Sequence, residues 1–191
     1  IEMVSHQLNL NRPYELIVHQ YSQNTSRNIK SAQKNGLEYI ENASVKKIIR
    51  LFQRNRGKQK AVHYKKRDYY TLIRMAHHAL QQGKLDNIGV ISEGKLIAGA
   101  LFLRDKERTW FWFSGRDNTQ ANKKAMFFLI DEYIKRHAGQ PVILDFNGSM
   151  NENVARLYKG FGGIPYNYSM LHFTRNFYLG GLIRLYKAIK S

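Results

Sequence analysis

The run Ile88-Gly-Val-Ile-Ser-Glu-Gly-Lys-Leu-Ile-Ala-Gly-Ala-Leu-Phe-Leu103 joins two apolar segments through a Glu93-Gly94 turn. A polar turn at Arg104–Glu107 leads on into Thr109–Phe113, so the three segments read as an antiparallel meander. Both faces of these strands are apolar, which calls for helices on both sides of the sheet. Downstream, Asn118–His137 reads as one long helix whose middle, Ala125–Ile130, is apolar all round. Pro141–Phe146 reads as a buried strand, Asn151–Lys159 as a short helix and Tyr166–Thr174 as a last strand. The tail from Tyr178 is apolar and basic.

Upstream of the meander the chain is mainly helical. Residues 1–12 read as extended, and Pro13 sits where a helix can begin, with Tyr14, Ile17, Val18 and Tyr21 on one face. A helix restarts in Tyr21–Lys30 and stops near Asn35-Gly36, and Leu37–Glu41 reads as a short strand. Ser44 is placed to cap a helix with Val45, Ile48, Ile49 and Phe52 on one side and Lys46, Lys47, Arg50 and Arg54 on the other. A further helix from Asp68 to Gln82 turns Leu72, Met75, Ala76 and Ala79 inward and ends at Gly83.

The 191 residues contain no internal repeat or low-complexity linker, so a single domain is expected. The absence of cysteine removes disulfides and thiol catalysis, fits a reducing compartment and makes a cytoplasmic protein the expectation. The longest apolar stretch, Leu96–Leu103, falls far short of the ~20 residues that span a bilayer. Thirty-one Lys and Arg against 14 Asp and Glu give a net charge of +17. Such a field attracts nucleic acid, anionic lipid or phosphate-bearing small molecules without choosing among them. From Lys46 to Arg67 there are ten cations and no acid.

Several common chemistries lack their residues. The seven histidines show no metal-ligand spacing, and the adjacent His77 and His78 point in different directions on a helix, so no metal is expected. There is no Gly-x-Ser-x-Gly elbow and no phosphate-cradling Gly-rich Lys-Ser/Thr loop. The few acids are too scattered for a paired-carboxylate hydrolase.

The order meander, long helix, buried strand, short helix, final strand resembles that of the GNAT acyltransferase fold. Asn151-Glu-Asn-Val-Ala-Arg-Leu-Tyr-Lys-Gly-Phe-Gly162 is similar to that family's late motif, an Asn opening a helix that carries Leu-Tyr and ends at Gly. The resemblance implies that Tyr158 protonates the departing coenzyme thiolate, a role that suits a phenol with a pKa of ~10. The alternative is that Leu157 and Tyr158 pack under the sheet.

Tyr21-Ser-Gln-Asn-Thr-Ser-Arg-Asn-Ile-Lys30, Leu144-Asp-Phe-Asn-Gly-Ser149 and Tyr158-Lys-Gly-Phe161 resemble segments of the Fem-type subgroup. Its members build two such lobes into one chain and move an amino acid from aminoacyl-tRNA onto an amine of a cell-wall precursor. The last segment is similar to the subgroup's Phe-Lys-x-x-Phe element, with one residue fewer before Phe161. By this resemblance Lys159 stabilises charge in the transition state; otherwise it is a solvated helix end neutralising the dipole. Asp145, ending the buried strand, is either a partly desolvated base or, as we favour, the cap of a turn around Asn147–Ser149.

GNAT enzymes that use coenzyme A cradle its pyrophosphate with a Gln/Arg-x-x-Gly-x-Gly/Ala loop at a helix start. In the register Gln120-Ala-Asn-Lys123-Lys-Ala125, Lys123 takes the glycine position; in Arg116-x-x-Thr119-x-Ala121, Thr119 does. Lys123 and Lys124 can attract phosphate, but the cradle is degenerate, so no cofactor is firmly expected and acetyl-coenzyme A remains the alternative. The substrate contacts implied are Ser114, Gly115, Arg116, Gln120, Lys123 and Phe161.

Arg27, Lys30, Lys46, Lys47, Arg50 and Arg54 are the expected polyanion contacts, with Tyr64, Tyr69 and Tyr70 available to stack on exposed bases of a tRNA. In the tail, Leu179, Leu182, Ile183, Leu185, Tyr186 and Ile189 alternate with Arg184, Lys187 and Lys190, a pattern able to lie on an anionic membrane. The expectation is thus an α/β domain of GNAT type spanning 1–191, with a mixed, largely antiparallel sheet and helices on both faces. It resembles the C-terminal lobe of a longer two-lobed Fem-type protein that transfers an acyl or aminoacyl group to a primary amine. The alternatives are an acetyl-coenzyme A N-acetyltransferase and a non-catalytic basic module that binds RNA or membrane.

Overall fold

The computed structural model describes residues 2–59, 63–148 and 150–171. Among the described residues seven strands form one sheet: β1 (Glu2–Asn9), β2 (Glu38–Ile40), β3 (Leu85–Ser92), β4 (Lys95–Arg104), β5 (Arg108–Arg116), β6 (Ile143–Asp145) and β7 (Ile164–Ser169). Their order is β2-β3-β4-β5-β6-β1-β7, and within it β5–β6 is the parallel pair. The meander pairs as expected, with Glu93 and Gly94 both at positive φ in the turn. The extended N-terminal stretch becomes an inner strand, Gln7 facing Asp145 on one side and Ile164 on the other. Sequence reasoning found the strand but no partner for it, because pairing over such a separation leaves no local signal.

The helices are α1 (Tyr14–Val18), α2 (Gln23–Gln33), α3 (Val45–Arg54), α4 (Lys66–Gln81), α5 (Ala125–His137) and α6 (Glu152–Gly160). Ser22, Ser44 and Asn151 cap α2, α3 and α6 through side-chain oxygens that accept backbone N–H groups. The expected single helix from Asn118 breaks. Residues 118–123 form a 3-10 turn, Lys124 takes φ 55°, and α5 starts at Ala125. The cause is apolar content: Ala121 is the one apolar residue in that stretch, so nothing seats it on the sheet, whereas Ala125, Met126, Leu129 and Ile130 are buried. Met75, expected inward on α4, is 53% exposed, and Ala76 alone is fully enclosed there. β7 begins at Ile164, ahead of the expected Tyr166, and the rest of the expected strand and the amphipathic tail lie outside the described residues.

Two cores flank the sheet. One packs α1, α2, α5 and α6 through residues such as Ile17, Leu129, Tyr133, Phe146 and Phe161. Asp131, buried in it, accepts hydrogen bonds from the Tyr14 and Tyr21 hydroxyls and so ties the α1 segment to α5. The other packs α3 and α4 through Val45, Ile48, Ile49, Ala76 and Leu101. No described helix is long and apolar enough to cross a membrane.

α3 lies low on the sheet, over a row of two glycines paired across neighbouring strands, Gly99 and Gly115. A Cβ on Gly115 would stand 2.5 Å from the Ile48 carbonyl oxygen and 2.6 Å from the Phe52 amide nitrogen. One on Gly99 would stand 2.5 Å from Ile48 Cγ1. Since backbone atoms of α3 cannot yield without moving the helix, Gly115→Ala should destabilise the domain by about 1–3 kcal/mol. Urea unfolding measures this as a lowered midpoint at unchanged slope; an unshifted midpoint would show that the helix does not rest on the row.

Candidate active site

β5 and β6 pair over Arg108–Ile143, Thr109–Leu144 and Trp110–Asp145, and then part. β6 ends at Asp145, and Asn147 and Gly148, both at positive φ, turn the chain away toward α6. The opening left between the strands is a cleft of about 840 Å³, lined from both faces of the sheet. One wall is β5 from Phe111 to Arg116; the other runs from Asn147 to Tyr158. The roof is the end of α3 and the segment after it, with Phe52, Asn55, Arg56, His63 and Tyr64. Asn55 fixes that roof: its Nδ2 donates to the Leu51 carbonyl (2.8 Å) and its Oδ1 accepts from the Asn118 amide (3.3 Å).

Tyr158 packs under the sheet, one of the two readings considered for it, and also lines the cleft. Its ring stacks on Phe146 (4.6 Å between centroids, 15° between planes), meets Phe111 edge-on and is only 6% exposed. Burial pushes its hydroxyl up to about 12, with the Arg56 cation pulling the other way. A phenol in that range is protonated throughout the neutral region, so it has a proton to give and is not available as a base. Lys159 lies one residue further round the helix, exposed and outside the cleft lining. The structure therefore separates the two residues that the sequence placed together.

Asp145 is enclosed and fully engaged. Ser5 Oγ donates to it, as do Gln7 Nε2 (3.0 Å) and the Asn147 amide (2.9 Å), and Arg108 pairs with it at 3.5 Å. It caps the turn after β6; Ser149, part of the expected turn, is outside the described residues. Ser114, Gly115 and Arg116 line the cleft, whereas Gln120, Lys123 and Phe161 do not. Lys123 donates to Ser92 Oγ (2.8 Å) and pairs with Glu93 (2.7 Å). Phe161 is buried against Tyr21 and Phe127. The expected polyanion residues fall on opposite faces of the sheet: Arg27 and Lys30 on α2, beside α5 and α6, and Lys46, Lys47, Arg50 and Arg54 on α3. Arg56, His63 and Asn151 were missed as cleft residues. Arg56 falls within the basic run, and nothing local distinguishes it from its neighbours.

Among the described residues no cluster of His, Cys, Asp or Glu could hold a metal. The approach to α5 also fits a pyrophosphate poorly. No glycine occurs between Gly115 and Gly139, and the lysine at the key position is tied to the β3–β4 turn. Calorimetry should accordingly show no saturable binding of acetyl-coenzyme A below roughly millimolar concentration. A micromolar dissociation constant would reverse this assignment.

His6 adds a pH signature. It is 1% exposed with neither ring nitrogen hydrogen-bonded, and burial, with Lys159 nearby, holds its pKa below the ordinary 6.5. Between that lowered value and 6.5 the unfolded chain binds more protons than the folded one, so stability falls as pH drops through 6.5. Urea unfolding of the wild type should show this loss, and His6→Leu should remove its own share of the slope. An identical slope in both would mean that His6 charges freely in the fold.

The sequence matches the GNAT acetyltransferase domain family over residues 19–153. No curated protein matches it by sequence. Among solved structures it is similar to FemX at a TM-score of 0.66 and 10% identity, covering 85% of this chain and 59% of that one. A conserved protein of unknown function from Bacteroides thetaiotaomicron matches at 0.61 and 12% identity, covering 87% and 61%. The C-terminal domain of a putative lysylphosphatidylglycerol synthetase from Agrobacterium fabrum matches at 0.54 and 12%, covering 86% and 58%. The chain thus spans about three-fifths of the length of these structures. Family match and splayed parallel pair agree, and the chain belongs to the GNAT acetyltransferase domain family, with the Fem-like form of its fold.

Proposed function

We propose that the cleft transfers an acyl or aminoacyl group to a primary amine, with aminoacyl-tRNA as donor and a cell-wall precursor as acceptor. The observation that carries this reading is a buried phenol, held protonated, beside an arginine in the opening between two parting parallel strands. The amine nitrogen forms a bond to the acyl carbon, and the bond from that carbon to the donor oxygen breaks. Tyr158 gives its proton to the departing oxygen, and the proton lost by the amine returns to the phenolate through solvent. Arg56 and Arg116 favour a donor that carries phosphate near its reactive end. The glycine-free approach to α5, the net charge of +17 and the likeness to FemX support tRNA over coenzyme A as that donor.

Arg56 replaces Lys159 as the residue assigned to transition-state charge, because it shares the cleft with Tyr158. In the complete protein, Tyr158→Phe and Arg56→Ala should each lower turnover about 10²-fold or more. Lys159→Ala should stay near wild type. Product formation is followed with aminoacyl-tRNA and, separately, acetyl-coenzyme A across a panel of amines, with thermal unfolding as the control for folding. Wild-type turnover in both cleft variants would remove the assignment. Turnover with acetyl-coenzyme A alone would move the chain to the plain N-acetyltransferases.

A further inference from the structure

We infer that the groove between α3 and α4 binds single-stranded nucleic acid through backbone charge and base faces, without reading sequence. The groove holds about 300 Å³. Lys46 and Arg50 enter it from α3, Lys66 and Tyr70 from α4, and Ile49 and Ile73 contribute apolar lining. None of the three cations has a salt-bridge partner among the described residues. The chain has no acid between Glu41 and Asp68, and Asp68 accepts the Lys65 amide at the start of α4. Uncompensated cations on two facing helices suit a string of phosphates.

The tyrosines distinguish this groove from a merely solvated basic face. Tyr70 is 58% exposed, leaving ring surface open beside the cations. Tyr64, 57% exposed, stands edge-on to Tyr69 (5.7 Å) and contacts Phe52 (5.9 Å). Unpaired bases stack on such rings whatever their identity, and a duplex hides those faces. Alternating cations and rings in a concave site favour a nucleic acid strand over a membrane, which calls for an apolar face laid on the bilayer. Tyr69 borders the groove while Phe52 and Tyr64 line the cleft, so a strand in the groove is led to the cleft mouth. This deepens the donor reading above, and it rests on that reading only for the acylated end.

The test uses uncharged RNA, so it can fail independently of acyl transfer. Fluorescence anisotropy of a labelled oligouridine should show binding that weakens with salt, with a slope of about −2 for three single-strand phosphate contacts. Lys46→Glu, Arg50→Glu and Lys66→Glu together should abolish measurable binding. Tyr70→Ala should weaken binding about 5-fold or more with the salt slope unchanged, and Tyr70→Phe should restore it. Circular dichroism melts confirm that these surface variants fold. Equal affinity for a duplex, wild-type binding by Tyr70→Ala, or binding of anionic phospholipid vesicles in place of the RNA would each overturn the inference. RNA binding that persists in a protein with no turnover would uphold this site and sink the transferase reading alone.

Discussion

The close seat of α3 on the glycine row is the contact from which the rest of the arrangement follows. Two paired glycines, Gly99 and Gly115, clear the sheet surface, and the helix descends until its backbone at Ile48 and Phe52 meets β5. Ile48, Ile49 and Val45 are thereby buried, and Lys46 and Arg50 are turned toward α4. The end of the same helix carries Phe52, Asn55 and Arg56 over the opening between β5 and β6. A side chain at Gly115 would lift all of this from the cleft. Backbone proximity therefore links a packing detail to the chemistry.

The second determinant is the brevity of the parallel pairing. Three residue pairs hold β5 and β6 together, after which no ladder bonds restrain them. The walls are then set by aromatic packing: Phe146 stacks on Tyr158, Phe111 meets both, and Phe102 stacks on Tyr133 one layer deeper. Such pairs are directional as well as apolar, which fixes where the Tyr158 hydroxyl stands. Arginines on the roof and on β5 set the sign of the potential there. Desolvation raises the pKa of the phenol further above neutrality, while the nearby cations make the cleft attractive to an anion.

Much of the fold was legible in the chain because its causes are local. The Glu93-Gly94 turn, the Ser44 and Asn151 caps and the apolar faces of α3 and β4 act within a few residues, and each appears where the sequence places it. The failures at Lys124 and Met75 are local too. A polar stretch joined to a strong helix reads in sequence as its continuation, and the pattern of α4 suggests a wider buried stripe than the one it has.

The site divides differently. The sequence by itself determined the kinds of group at hand: a Tyr on a short capped helix, a glycine-poor approach to α5, a dense run of cations and a positive charge overall. Only the tertiary structure decided which of them meet. It brought Arg56 and Tyr158 to one cleft and left Lys159 outside it. It enclosed Asp145 with Ser5 and Gln7 from the far end of the chain. It also put Arg27 and Lys30 on the opposite side of the sheet from Lys46 and Arg50. The reason is physical: composition and periodicity specify faces and turns, whereas contacts across many residues depend on how closely one surface settles on another.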